Sequence, residues 1–216
     1  MKPERKDPIA RDQVASAFSA ILQRLCDASG AQAAALVDAG GETVDYAGRV
    51  PPFDARVAAA EWRLVLSLIE IANVGAWAAT REIVVRAGRR SFAAWSLAEG
   101  YAIVLILPRH AFRVSRRALA IAAAELELEA GLDSRRTKER VRWLQVEVKT
   151  DAADSRRPSA VWQDGAWCPV TVLGRFKSAD LGRSEVGYLT RFDSGAEGLL
   201  IREPLGKWFS GEPTWT

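Results

Sequence analysis

Residues 53–74 constrain the chain more than any other segment, because one helix-length run carries apolar side chains on two faces. Helical spacing puts Val57, Leu64, Leu68 and Ile71 on one stripe, and Trp62, Leu66 and Ile69 on another, with Val65 and Ala72 between them. A helix apolar on two sides must be covered on two sides. The sheet of its own domain covers one, and a second copy of the chain is the simplest cover for the other.

The flanking segments predict that sheet. Residues 11–29 read as an amphipathic helix with Val14, Phe18, Ile21, Leu22 and Leu25 on one stripe and Gly30 as its stop. Two short strand-like runs, 33–38 and 43–48, enclose Ala39-Gly40-Gly41-Glu42, a hairpin signal because glycine takes positive φ at no steric cost. Pro51-Pro52 ends that unit. After the two-faced helix come strand patterns at 80–87, 91–97 and 101–107, joined by the short turns Gly88-Arg89-Arg90 and Ala98-Glu99-Gly100. Residues 101–107 are apolar on both faces, as a central strand covered on both sides requires. A third helix over 111–130 aligns Phe112, Leu119, Ala122 and Leu126, with Gly131 marking its end. The order is αββαβββα. It predicts an α+β class, an α/β sandwich with a five-stranded antiparallel sheet flanked by helices.

Several of these segments together resemble the Roadblock / dynein light chain family, including its bacterial MglB-type members. Ala34-Ala35-Leu36-Val37-Asp38-Ala39-Gly40-Gly41 is similar to the family's first hairpin, and Val44-Asp45-Tyr46-Ala47-Gly48 to its second strand. The apolar second helix and the Gly100-Tyr101-Ala102-Ile103-Val104 entry to the fifth strand match as well. Profilin-like and longin-like folds share a similar strand order. The resemblance spans roughly residues 11–131. It implies a homodimer in which the second helix and third strand pair with their copies, here through Trp62, Leu66 and Ile69 on the helix and Ile83 and Val85 on the strand. It also implies a platform for a Ras-like small GTPase. The chain has no Gly-x-x-x-x-Gly-Lys-Ser/Thr loop of its own, so it is not itself expected to be the nucleotide-binding partner.

Residues 132–216 depart from that pattern. Asp133-Ser134-Arg135-Arg136-Thr137-Lys138-Glu139-Arg140 starts like a capped, basic helix, and 143–149 then alternates with strand period. Residues 150–158 are polar and read as a linker or long loop. Strand candidates follow at 160–163, 167–173, 185–191 and 199–202, with Asp164-Gly165 as a tight turn, which suggests a small β-barrel or open sheet. The Trp162–Trp167 hairpin has a faint likeness to SH3- or Tudor-type barrels. Five of the eight tryptophans lie in this region: Trp143, Trp162, Trp167, Trp208 and Trp215. Most are expected in a core. A partner-binding aromatic patch or stacking on bases are the other readings. The organisation expected is thus an arm over 1–10, a dimerisation domain over 11–131, a basic helix, strand and linker over 132–158, and a small β-rich domain over 159–216.

The chemistry-bearing residues point away from catalysis. His110 is the one histidine and has no orienting carboxylate beside it in sequence, and no Cys/His cluster offers zinc ligands. Cys26 and Cys168 are expected as buried thiols in a reducing cytoplasm. Glu125, Glu127 and Glu129 are spaced two apart and do not share one helix face. They are expected as surface charges. Asp193-Ser194-Gly195 lacks the frame of a hydrolase elbow. With a net charge of only +3, nucleic acid is not an expected partner. The run Arg135, Arg136, Lys138, Arg140 and Arg142 reads first as a solvated helix face and second as a docking patch. The expected function is a non-catalytic homodimer, without cofactor or metal, that binds and regulates a small GTPase. The alternative is an adaptor that binds other proteins through its Trp-rich C-terminal module. Candidate partner-binding residues are Trp162, Trp167, Arg135, Arg136 and Arg140. No segment resembles a membrane span or a signal peptide.

Overall fold

A computed structural model describes residues 12–72, 80–109, 111, 114–132, 143–177, 181–182 and 184–211. The chain divides into two compact units, and the described residues 12–132 and 143–211 fall one in each.

The first unit has helices α1 (Ala17–Ser29), α2 (Pro52–Ala72) and α3 (Arg116–Glu129) and strands β1 (Ala33–Val37), β2 (Thr43–Gly48), β3 (Glu82–Arg86), β4 (Ser91–Ser96) and β5 (Ala102–Leu107). The strands form one antiparallel sheet in the order β2-β1-β5-β4-β3. β5 is buried along its whole length, as its unbroken apolar sequence requires. On one face Ala35, Val37, Tyr46, Ala94 and Val104 pack with Ala55, Ala59 and Leu66 of α2. The opposite face is covered by α1 and α3, which lie side by side and present Leu22, Leu25, Leu119 and Leu126 to the core.

Two helices start later than their apolar patterns suggest. α1 begins at Ala17 rather than residue 11, because Ser16 caps it: Ser16 Oγ accepts the Ser19 amide at 3.2 Å, and Ser19 Oγ accepts the Ser16 amide at 2.8 Å. Val14, expected on the apolar stripe, lies before the helix and is exposed. α3 begins at Arg116 behind Ser115, whose Oγ accepts from the Ala118 amide. Phe112, His110, residues 1–10, the basic run 133–142 and Trp215 lie outside the described residues.

The second unit is a meander of short strands. β6 (Leu144–Val146) and β7 (Val148–Thr150) are followed by β8 (Pro158–Gln163), β9 (Ala166–Phe176), β10 (Val186–Phe192), β11 (Glu197–Arg202) and β12 (Trp208–Gly211). β6 bonds to β12 and β7 to β8. The single run 144–150 therefore joins both margins of the sheet and turns it into a small barrel. That corrects the expected organisation: residues 143–150 belong to the barrel wall, not to a connecting segment ending at 158. β12 has no counterpart among the strands the sequence pattern suggests. Inside the barrel Val161, Val170, Tyr188, Leu200 and Trp208 form the core, with Val146, Val148 and Phe192 against them. Gly187 and Gly198 sit where rings cross the wall: a Cβ on Gly187 would lie 3.0 Å from Phe176 Cδ1, and one on Gly198 2.9 Å from Phe192 Cε2. Asp164 and Gly165 both take positive φ, the geometry of a tight hairpin turn.

Candidate interaction surfaces

α2 sorts its two apolar stripes unambiguously. Leu66 is fully buried against the sheet, and Trp62 is half-buried, its ring 5.4 Å from that of Phe92. The outward stripe stays open: Val57 is 38% exposed, Leu64 61%, Leu68 59% and Ile71 78%. Of the five residues expected to meet a second copy, Leu66 is therefore consumed by the domain's own core, since a side chain without accessible surface has none left to give a partner. Trp62, Ile69, Ile83 and Val85 keep part of their surface, and Ile83 also packs against the α2-side core. β3, the strand that bears Ile83 and Val85, is an edge of the sheet.

The two sheet edges differ in chemistry. Along β2 the Tyr46 amide is taken up by Asp45 Oδ1 at 2.7 Å, while Asp45 Oδ2 accepts a hydrogen bond from Ser16 Oγ. Tyr46 Oη donates to Asp12, whose carboxylate also pairs with Arg56. This edge is covered by its own side chains. Alongside it a cleft of about 290 Å³ opens between α1 and β2, lined by Ser16, Ser19, Gln23 and Tyr46 among others. β3, by contrast, is a run of Ile83, Val84 and Val85 between charged ends, the type of edge that pairs readily.

Arg63 is a residue that sequence reasoning missed. It is buried in mid-helix, with Nη1 3.2 Å from Glu70 Oε2, while Glu70 Oε1 accepts from Ser96 Oγ at 3.1 Å. Its Nη2 lies 3.2 Å from the place a Cβ on Gly100 would occupy, which explains a glycine at φ +80 in that turn. The signal was a lone arginine between Trp62 and Leu64. On the other face Glu127 Oε1 accepts the Ala98 amide at 3.1 Å, so the β4–β5 turn is held from both sides. Glu127 is thus buried rather than the surface charge expected of it.

In the barrel, the tryptophans do not all sit in the core. Trp208 is buried, whereas Trp162 is 42% exposed and stands edge-to-face with Trp167 at 5.3 Å on the outer wall. Lys149 Nζ sits 4.3 Å from the centre of the Trp167 ring. The hairpin register Trp162↔Trp167 brings the two expected partner-binding tryptophans together. Arg135, Arg136 and Arg140 lie outside the described residues. Both cysteines are free thiols; Cys26 is buried, and that burial, reinforced by Asp27 and offset by Arg49, pushes its pKa up to about 12. Among the described residues no cluster of His, Cys, Asp and Glu could hold a metal ion, and no helix is long and apolar enough to cross a membrane.

No family model and no curated protein matches the chain. Solved structures do. MglB of Myxococcus xanthus is 18% identical, with a TM-score of 0.45 over 56% of this chain and 100% of that one. The Roadblock/LC7 domain from Streptomyces avermitilis is 18% identical, with a TM-score of 0.40 over 51% of this chain and 88% of that one. The gliding protein MglB of Thermus thermophilus is 19% identical, with a TM-score of 0.42 over 57% of this chain and 98% of that one. The fold is read from the elements themselves: αββαβββα in sequence, and one five-stranded antiparallel sheet between α2 and the α1–α3 pair. The first unit has the element order and the five-stranded antiparallel sheet expected from the sequence.

Proposed function

We propose that the chain is a non-catalytic homodimeric platform that binds and regulates a Ras-like small GTPase. The observation that carries the reading is the open stripe Val57, Leu64, Leu68 and Ile71 on α2. Leaving several large aliphatic side chains in water along one line is costly, at roughly 1.5–3 kcal/mol for each such side chain that could be buried. A second copy meeting this helix, with Ile69, Ile83 and Val85 at its margin, covers the stripe and the edge strand together. The GTPase part of the reading comes from the family resemblance, and it is tested separately. Full-length protein is used as bait in native lysate with GTPγS or GDP. Enrichment of a Ras-like GTPase in one nucleotide state supports the platform; reproducible partners with no GTPase in either state remove it.

A second reading is favoured by one feature, the outward Trp162–Trp167 pair. On that reading the chain is an adaptor that engages other proteins through its barrel. Partner binding that survives Trp162→Ala and Trp167→Ala unchanged counts against it.

A further inference from the structure

Charge is unevenly distributed along the strands of the first unit. At the end where β1 begins and β5 finishes, the chain places Arg49 after β2, Arg86 at the close of β3, Arg89 and Arg90 in the β3–β4 turn, and Arg109 after β5. Ladder pairing puts them in one rim. Arg86 pairs with Ser91, Ser91 pairs with Leu107 and bonds through Oγ to the Arg109 carbonyl at 3.3 Å, and the Arg49 amide bonds to the Gln32 carbonyl at 2.7 Å. Strands are spaced about 4.8 Å, so across five strands the rim from Arg49 to Arg86 is roughly 19 Å wide. One acid is paired into it, Asp54 with Arg90 at 3.2 Å. Among the described residues Arg49, Arg89 and Arg109 make no ion pair, and all three are exposed. The other end of the same sheet is acidic on balance: Asp38 and Glu42 in the β1–β2 turn, Glu82 at the start of β3, Glu99 in the β4–β5 turn and Glu70 on α2 outnumber Arg81 before β3, Arg63 paired with Glu70 and Arg116 paired with Glu82.

We infer that the arginine rim docks the domain, end on, against an anionic phospholipid surface. Two features favour this occupant over an acidic protein. Every one of the cations is arginine, whose planar fork bonds phosphate in two places. The uneven distribution itself suits a charged plane: surface potential decays over a Debye length of about 8 Å, whereas six strand residues set the acidic end roughly 20 Å away. The attraction therefore acts on the rim while the repulsion of the far end is screened.

Cosedimentation of the full-length protein with vesicles tests this, using phosphatidylcholine alone or mixed with phosphatidylglycerol, at low and physiological salt. Binding is expected only to the mixed vesicles and falls steeply with salt. Arg89→Glu with Arg109→Glu, both exposed and unpaired among the described residues, lowers partitioning by at least about tenfold. Equal binding to both kinds of vesicle overturns the inference, as does no binding at low salt. Binding that survives the double charge reversal also overturns it, since the cations responsible would then lie elsewhere. Capture of soluble polyglutamate without vesicle binding would assign the rim to an acidic protein instead.

Discussion

Leu64 and Leu66 are two residues apart on one helix and point in opposite directions: Leu66 is fully buried under α2 and Leu64 is 61% exposed. At 100° per residue their side chains are separated by roughly 200° around the axis, so one belongs to the core and the other to the surface. Substitutions on the two stripes should separate folding from assembly. Leu66→Ala removes a fully packed side chain and should cost about 2–5 kcal/mol in denaturant unfolding. Leu64→Glu with Leu68→Glu should leave each domain folded by circular dichroism. On the proposed dimer, it should also convert the protein to a monomer in size-exclusion chromatography with light scattering. A wild-type protein that is monomeric at all concentrations would remove the dimer from the proposed function.

Arg63 gives the second prediction. Its guanidinium is buried but its partner Glu70 is 41% exposed, so the ion pair is half-screened by water. Packing along the stem should then matter more than the pair. Arg63→Met, which keeps most of that stem, should be less destabilising than Arg63→Ala, at about 1 kcal/mol against about 3 kcal/mol. Equal losses would show that charge, not volume, holds α2 to the β4–β5 turn. Thermal or urea unfolding of the two variants decides it.

How much of this was legible in the sequence depends on the distance over which each feature is specified. The element order was legible because hydrophobic period and glycine placement are local: β1, β2 and β5 fall within a residue of their patterns. Which stripe of α2 faces the sheet was not legible, since Leu64 and Leu66 are equally apolar and only the position of β1 and β5 decides between them. The start of α1 was lost for a related reason. Val14 fits the apolar spacing, but the hydrogen bonds between Ser16 and Ser19, backed by Asp45 29 residues away, stop the helix before reaching it. Barrel closure was beyond local reading too, because β6 and β7 look like one short strand until each half finds a different neighbour. The arginine rim, from Arg49 to Arg109, is scattered along the sequence and becomes a rim only through the ladder.

Ser16 should therefore be worth more than an ordinary cap. Its Oγ accepts the Ser19 amide and donates to the buried Asp45 carboxylate. Loss of a serine N-cap costs about 1 kcal/mol, and removing a donor to a charged acceptor adds about 1.5 kcal/mol or more. Ser16→Ala should lower stability by about 2–3 kcal/mol, and Ser16→Thr, which keeps the hydroxyl, should recover most of it. A loss no greater than that of an exposed cap would show that the Asp45 contact contributes nothing.

Cys26 supplies a pH dependence of defined sign. Burial is the main cause that raises its pKa from 9.0 to about 12, so the folded state keeps a proton that the unfolded state releases. The contribution to stability is complete below pH 9 and is lost as pH rises from 9 towards 12, because over that interval the unfolded chain binds fewer protons. Replacing Cys26 by alanine should flatten this part of the stability curve, although the cavity lowers stability at every pH. Labelling provides an independent check. The nucleophile is the thiolate, so in native protein at about pH 8 iodoacetamide should modify the partly exposed Cys168 well before the buried Cys26, and the two should react alike only after denaturation. Mass spectrometry of digested protein reads both rates. Rapid native modification of Cys26 would mean that the α1–β2 contact opens readily, and that the thiol is not held in the apolar setting which raises its pKa.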